Sequence, residues 1–110
     1  MTFTMIEGGA GEIFQSEAAQ ANIDERIVAA CGGMLDAFYD LGVMYSTGSG
    51  QVTCDLVEAH KWFNIGASKG HDEAAWCRAD ISEEMTARDI AEAQRRAREF
   101  LRSERKAKAA

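Results

Sequence analysis

The sequence predicts an all-α protein in which antiparallel helical hairpins form a short α/α superhelix. Three observations favour this fold. Apolar residues recur at the three- and four-residue intervals of a helix in several successive segments. Glycines or capping residues interrupt the chain between those segments. The 110 residues include no proline, so no helix loses a backbone donor in its interior. Because the connections are short, consecutive helices should lie antiparallel.

The first third of the chain has the weakest helical spacing of apolar residues. Its glycine-rich start predicts a disordered or extended stretch over residues 1–11. Asn22 and Glu25 have the spacing of a capping box, which predicts a short helix near residues 23–31. We therefore separate residues 1–33, as an N-terminal segment, from the domain that follows.

Two strongly periodic segments come next. The apolar residues of the first predict a helix near residues 34–46. They are Met34, Phe38, Leu41 and Tyr45. A glycine-containing loop follows it. The second helix is predicted near residues 55–69, with Asp55 as its N-cap and Gly70 as the left-handed residue after its C-terminus.

Two further helices complete the predicted fold. Asp72 is placed to cap a third helix near residues 72–84. Thr86 resembles the cap of a fourth helix, which we expect to fray over residues 102–110 because its apolar anchors end there.

The two predicted hairpins are related in sequence. The pattern that begins at Ala37 returns 37 residues later at Ala74, and a period in this range is typical of helical repeats. The residues that carry the pattern are Ala37, Leu41, Gly42, Tyr45, Gly48, Gly50, Val52, Asp55, Ala59, Trp62, Phe63, Ala67, Gly70 and Ala74. With them, residues 37–74 resemble one full Sel-one-like repeat, a relative of the tetratricopeptide repeat. Gly66 and Gln51 depart from the family pattern.

The resemblance implies a domain organisation and a function. A Sel-one-like repeat domain would cover residues 34–104, with a degenerate capping hairpin over residues 72–104 like those of small bacterial family members. Residues 105–110 would form a frayed tail. Proteins of this family are non-catalytic adaptors that bind protein or peptide partners. The resemblance therefore implies protein binding for this chain.

Charge and cysteine content narrow the function classes. The net charge of −6 argues against nucleic-acid binding by the chain as a whole, although residues 88–110 carry 8 basic and 4 acidic groups. The three cysteines, Cys31, Cys54 and Cys77, form neither a disulfide framework nor a zinc pattern. With no secretory leader or membrane span in the sequence, we expect a cytoplasmic protein.

Catalytic and metal-binding patterns are weak. His60 and His71 are the only histidines: His60 lies next to the apolar stripe of the second predicted helix and His71 lies at a turn, so we expect structural roles for both. Cys54 precedes an N-cap, where a helix dipole can lower a thiol pKa, but the sequence places no partner beside it. We expect no catalytic residue, no metal and no cofactor.

The surface opposite the apolar stripe of the first periodic helix is the better candidate. In superhelical relatives, the first helix of each hairpin lines the concave side, and an off-stripe tryptophan among carboxylates is a plausible binding hot spot. The candidate partner-binding residues are Asp36, Tyr39, Asp40, Val43, Trp76, Asp80 and Glu83. They would form a groove for a basic and aromatic segment. The opposing interpretation is that Trp76 packs against the first or the last helix.

The small number of repeats raises a further expectation. One full repeat and one degenerate repeat bury little surface, so the N-terminal segment should cap the first hairpin or the chain should form a homodimer. Two alternative functions stay open. One is a nucleic-acid-associated regulator that uses the basic last helix, and the other is a self-associating structural protein.

Overall fold

Helices make up most of the protein that the structure describes. The computed structural model describes residues 14–109, so the expectation of disorder over residues 1–11 lies outside it. The helices are α1 (Glu17–Cys31), α2 (Leu35–Thr47), a single 3₁₀ turn (Ser49–Gln51), α3 (Leu56–Ser68), α4 (Asp72–Ser82) and α5 (Ala87–Ala109). Residues 14–109 contain no strand, which confirms the all-α class.

Helix α3 is the centre of the packing. α2, α4 and α5 all contact α3, and α1 packs against α2. α4 and α5 lie mainly on α3 rather than on each other. The sequence of α3 accounts for this position, because its buried residues are spread around the helix instead of along one stripe. They are Ala59, His60, Trp62, Phe63, Ile65 and Gly66.

Glycine at position 42 permits the close approach of α2 and α3. A Cβ atom at Gly42 would lie 2.3 Å from Cε1 of the buried Phe63 ring. Real Cβ atoms do not tolerate such a contact, so the ring occupies the space that the missing side chain leaves.

An aromatic cluster joins α5 to this pair of helices. Phe100 meets Trp62 edge-on, with ring centroids 5.2 Å apart, and meets Phe38 edge-on at 6.0 Å. Phe38 and Trp62 stack at 6.1 Å. Edge-to-face and offset arrangements are the favoured geometries of aromatic rings, and the cluster holds α5 across α2 and α3.

Most of the predicted helix ends are observed. Asp55 caps α3 through its side chain, Gly70 follows α3 in the left-handed conformation (φ +103°), and Thr86 accepts a hydrogen bond in the first turn of α5. The prediction for α4 was wrong by one residue. His71, not Asp72, is its N-cap, because the imidazole ring supplies the acceptor for the first turn.

The N-terminal helix is longer than the sequence pattern indicated. α1 begins at Glu17, capped by the Ser16 side chain, so Asn22 is an interior residue and not a cap. Asn22 instead donates a hydrogen bond from Nδ2 to the carbonyl oxygen of Gly50, at 2.9 Å. The extra turns are held by burial of Ala19 and Ile23.

The C-terminal helix also extends further than expected. α5 continues to Ala109, so helical structure covers residues 102–109, where fraying was expected. Glu104 anchors this part of α5 through an ion pair with Lys69 of 2.8 Å. Lys106 and Lys108 in the last turn suit the negative end of the helix dipole. No described helix is both long enough and apolar enough to cross a membrane.

Candidate functional site

An open groove of about 510 Å³ runs between α1 and α2. Three of the sequence-predicted residues, Tyr39, Asp40 and Val43, line its α2 side. The other lining residues come from α1, from the end of α2 and from the 3₁₀ turn. They are Asn22, Glu25, Arg26, Met44, Ser49 and Gly50. The groove therefore combines apolar walls with a few polar groups, as binding sites in proteins usually do.

The charge of the groove is acidic on balance. Arg26 Nη1 lies 3.3 Å from Asp40 Oδ2, and Arg26 Nη2 lies 4.0 Å from Glu25 Oε1. One guanidinium thus serves two carboxylates, which leaves one negative charge for a ligand to neutralise. Both side chains of the Arg26–Asp40 pair are partly exposed, so this ion pair can open at little cost.

Tyr39 is held in place by neighbours on two other helices. Its ring stacks on the His71 imidazole with centroids 4.9 Å apart and planes 8° from parallel. The Phe63 ring lies 5.9 Å away. The Cys77 thiol, then burial and the Glu73 carboxylate, raise the pKa of the Tyr39 phenol above its usual value of 10.0. The phenol therefore stays protonated at neutral pH and can donate a hydrogen bond.

Asp36 has a structural partner that the sequence did not reveal. His71 Nε2 donates to Asp36 Oδ1 at 2.9 Å, while His71 Nδ1 accepts from the Ala74 backbone N–H at 3.1 Å. Both ring nitrogens are therefore engaged, and the second bond requires the neutral tautomer with its proton on Nε2. Asp36 joins the start of α2 to the start of α4, although 81% of its side chain is exposed.

The remaining predicted residues lie on a different surface. Trp76, Asp80 and Glu83 are exposed on α4 and do not line the groove. Trp76 is 67% exposed, so it does not pack within the chain against the first or the last helix. The seven predicted residues thus divide into the groove, the α2–α4 junction and the outer face of α4.

The α1 wall of the groove was missed by the sequence reasoning. The helix was expected to begin at residue 23, which placed Asn22 and Glu25 in a capping box and gave Arg26 no role. One signal was present, because Arg26 is the sole basic residue before Lys61. A lone cation in an acidic stretch can indicate a side chain paired across two helices.

The cations of α5 fall into paired and free groups. Arg95 contacts Glu92 and Glu99 at 2.6 Å each, and Arg96 contacts Glu58 at 2.6 Å. Hydrogen bonds from Arg95 and then Arg96 lower the pKa of Glu92 to about 2. Within residues 14–109, no carboxylate lies within 4.0 Å of the other α5 cations. These are Arg88, Arg98, Arg102, Arg105, Lys106 and Lys108.

The side chains considered for a catalytic or metal-binding role, His60 and Cys54, make structural contacts. His60 is 2% exposed, and its Nε2 lies 3.1 Å from Ser82 Oγ. Burial is the main cause that lowers the pKa of His60. The Cys54 thiol donates to the Ser46 carbonyl oxygen at 3.5 Å. In the part of the chain that the structure describes, no three histidine, cysteine or acidic side chains are grouped to hold a metal ion.

Comparisons with known proteins give no relative. No family model matches the chain, and neither the curated proteins nor the solved structures include a significant match. Function is therefore inferred from the residues of the groove and of α4.

Proposed function

We propose that this chain is a non-catalytic protein–protein interaction module of the Sel-one-like repeat type. It binds a partner protein or peptide through the surface formed by α2 and α4. The observation that carries the proposal is the 67% exposure of Trp76, held on a helix whose inner side packs on α3. Tryptophan is enriched among residues that dominate binding energy, and an exposed one on a rigid element marks a protein contact.

The chemistry of the two surfaces indicates the kind of partner. The groove offers Tyr39 and Val43 beside a surplus carboxylate, and α4 surrounds Trp76 with Glu73, Asp80 and other acids. A segment with an arginine or lysine next to an apolar or aromatic residue would complement both. Arginine can also pair with a tryptophan face, which adds a cation–π contact.

The packing of the repeat residues supports the family part of the proposal. Ala37, Leu41 and Ala59 are fully buried, and Gly42 lies against the Phe63 ring. These are positions at which the Sel-one-like pattern requires small or apolar residues.

A paired capture experiment tests the proposal. Wild-type protein and the Asp40→Arg, Trp76→Ala double variant are immobilised side by side, and retained proteins are identified and then measured with purified components. The expected result is a discrete protein retained by wild type and lost by the double variant. Both residues are at least partly exposed, so the fold should be unaffected. The matched control is Val28→Ala, at a residue that is 72% exposed on α1 and does not line the groove.

Equal retention by wild type and the double variant would contradict the assigned surface. Extracts should also be prepared from cells grown under several conditions. If neither wild type nor the variants retain any protein from them, the self-associating structural role is favoured over the adaptor role.

The free cations of α5 favour a second candidate, a nucleic-acid-associated regulator. Arg98, Arg102 and Arg105 are exposed on the longest helix. Against this candidate, Glu92, Glu99 and Glu104 are interleaved with them. Retention on DNA at low salt, lost with added salt, would support it. Absence of retention at low salt would dismiss it.

We also propose a cytoplasmic location. All three cysteines are free, and Cys31 and Cys54 are exposed, a state that a reducing compartment preserves. Quantitative thiol labelling of protein taken directly from cells tests this proposal, and an oxidised population would contradict it.

A further inference from the structure

We propose that the chain binds a second copy of itself, with the outer face of α4 of one molecule against the outer face of α5 of another. The inference rests on the proposed function in one respect, that the α4 face is a protein-binding surface. It identifies the occupant of that face from charges within the same chain.

The outer face of α4 is a tryptophan flanked by acids. Its four residues follow one another at intervals of three, four and three, so they share one side of the helix over about 15 Å. They are Glu73, Trp76, Asp80 and Glu83. All four are exposed. Within residues 14–109, no cation lies within 4.0 Å of these three carboxylates.

The outer face of α5 repeats the same spacing with the opposite charge. Its exposed arginines also follow at intervals of three, four and three residues, over the same length of helix. They are Arg95, Arg98, Arg102 and Arg105. Arg95 is paired to two glutamates of its own helix, and the other three have no carboxylate within 4.0 Å in the described part of the chain. If the two faces lie side by side, the three acids and the tryptophan of α4 stand opposite the four arginines of α5.

The two faces do not satisfy each other within one molecule. α4 and α5 pack mainly on α3, and the ion pairs of the described residues join α5 to α3 and to itself but not to α4. A second copy supplies the missing counterpart for each face. Trp76 provides the apolar anchor against an arginine side chain, and the carboxylates select the cationic helix and fix the register.

The contact should be weak and sensitive to salt. Exposed ion pairs each contribute little and are screened by added ions, so the association depends on several pairs acting together with Trp76. We expect self-association constants to fall about tenfold when NaCl rises from about 0.05 M to about 0.5 M.

A charge-exchange experiment tests the inference by sedimentation velocity, from about 10 μM to about 1 mM protein. One variant carries Asp80→Lys and Glu83→Lys, which makes both faces basic. The other carries Arg98→Glu, Arg102→Glu and Arg105→Glu, which leaves one arginine beside three glutamates on the α5 face and so makes both faces acidic. Each alone should be monomeric where wild type associates, and the equimolar mixture should associate again. A Glu17→Lys, Asp24→Lys control on α1 matches the first variant in net charge and should behave as wild type.

The mixture keeps the test decisive even if one variant is partly misfolded, since only folded complementary faces restore association. A monomeric wild type at low salt overturns the inference, and so does a mixture that stays monomeric. Association by either variant alone overturns it too. Binding of DNA by wild type and not by the α5 variant, without self-association, would assign the α5 face to nucleic acid instead. None of these results bears on the groove, which is scored separately by the capture of a different protein with wild type and its loss with Asp40→Arg alone.

Discussion

Gly42 and Phe63 set the distance between α2 and α3. Because a Cβ at position 42 would come within 2.3 Å of the Phe63 ring, alanine there must displace a buried side chain. We expect Gly42→Ala to lower the free energy of unfolding by about 1–3 kcal/mol in urea denaturation. Gly32→Ala is the control, because its φ of −80° is open to alanine. Equal effects of the two changes would contradict the role given to Gly42.

His60 makes stability depend on pH. Burial, and then the charge of Arg78, lower the pKa of His60 below its usual value of 6.5. Well above pH 6.5 the ring is neutral in both the folded and the unfolded chain, so its contribution to stability is complete there. As the pH falls from 6.5 toward the lowered pKa, the unfolded chain takes up a proton first and stability is lost.

The measurement for His60 is urea unfolding at about pH 7.5 and at about pH 5.5, for wild type and for His60→Gln. We expect wild type to lose more free energy of unfolding than the variant, which has no ring to protonate. Contributions from all other titratable groups are common to both proteins and cancel in the difference. Identical losses in the two proteins would contradict the account of His60.

The side-chain partners of two acidic residues on α2 could not be predicted from the sequence. The acidic side chains of α2 were predicted as ligand contacts, but Asp36 bonds to His71 and Asp40 pairs with Arg26. These partners lie 35 and 14 residues away in sequence. Periodicity places a residue on a face of its helix, but it does not say which side chain of another helix reaches it.

At the scale of helices, capping explains why the predicted ends of α3 were correct. The Asp55 carboxylate accepts hydrogen bonds from the backbone N–H groups of Val57, at 3.1 Å, and Glu58, at 3.3 Å. We expect Asp55→Ala to cost about 1 kcal/mol of unfolding free energy, measured by chemical denaturation. Asp55→Asn keeps an acceptor oxygen and should cost clearly less. An alanine variant as stable as the asparagine variant would show that the cap contributes nothing.

Phe100 is the aromatic side chain that attaches α5 to α2 and α3. Phe100 contacts Phe38 and Trp62, and its truncation removes both edge-on contacts. We expect Phe100→Ala to lower the free energy of unfolding by about 2 kcal/mol, because the ring is only partly buried. Amide exchange in α5 should accelerate more than in α2. Ser103→Ala, at an exposed neighbouring residue, should leave both quantities unchanged, and equal behaviour of the two variants would contradict this attachment.

Helix positions were predicted correctly where the sequence has both a capping residue and apolar residues at helical spacing. α2, α3 and α4 were expected near residues 34–46, 55–69 and 72–84, and they lie at Leu35–Thr47, Leu56–Ser68 and Asp72–Ser82. The two outer helices were predicted too short. The additional turns of α1 and the last turns of α5 are stabilised by contacts with other helices. Residue spacing within one helix does not predict such contacts.

At the scale of the whole molecule, the residues that the sequence predicted as one binding surface lie on separate faces. The expected single groove is divided, since Tyr39, Asp40 and Val43 face α1 while the Trp76 side of α4 faces outward. That division depends on how α1 and α4 pack around α2 and α3, which intervals within one helix do not determine.

Site-specific photo-crosslinking in living cells tests most directly whether α2 and α4 form a protein-binding surface. A photoreactive residue is placed at Val43, in the groove, at Trp76, on α4, or at Val28, an exposed control on α1. The account predicts protein adducts from positions 43 and 76 and none from position 28. Adducts from position 28 alone, or from none of the three positions, would contradict it.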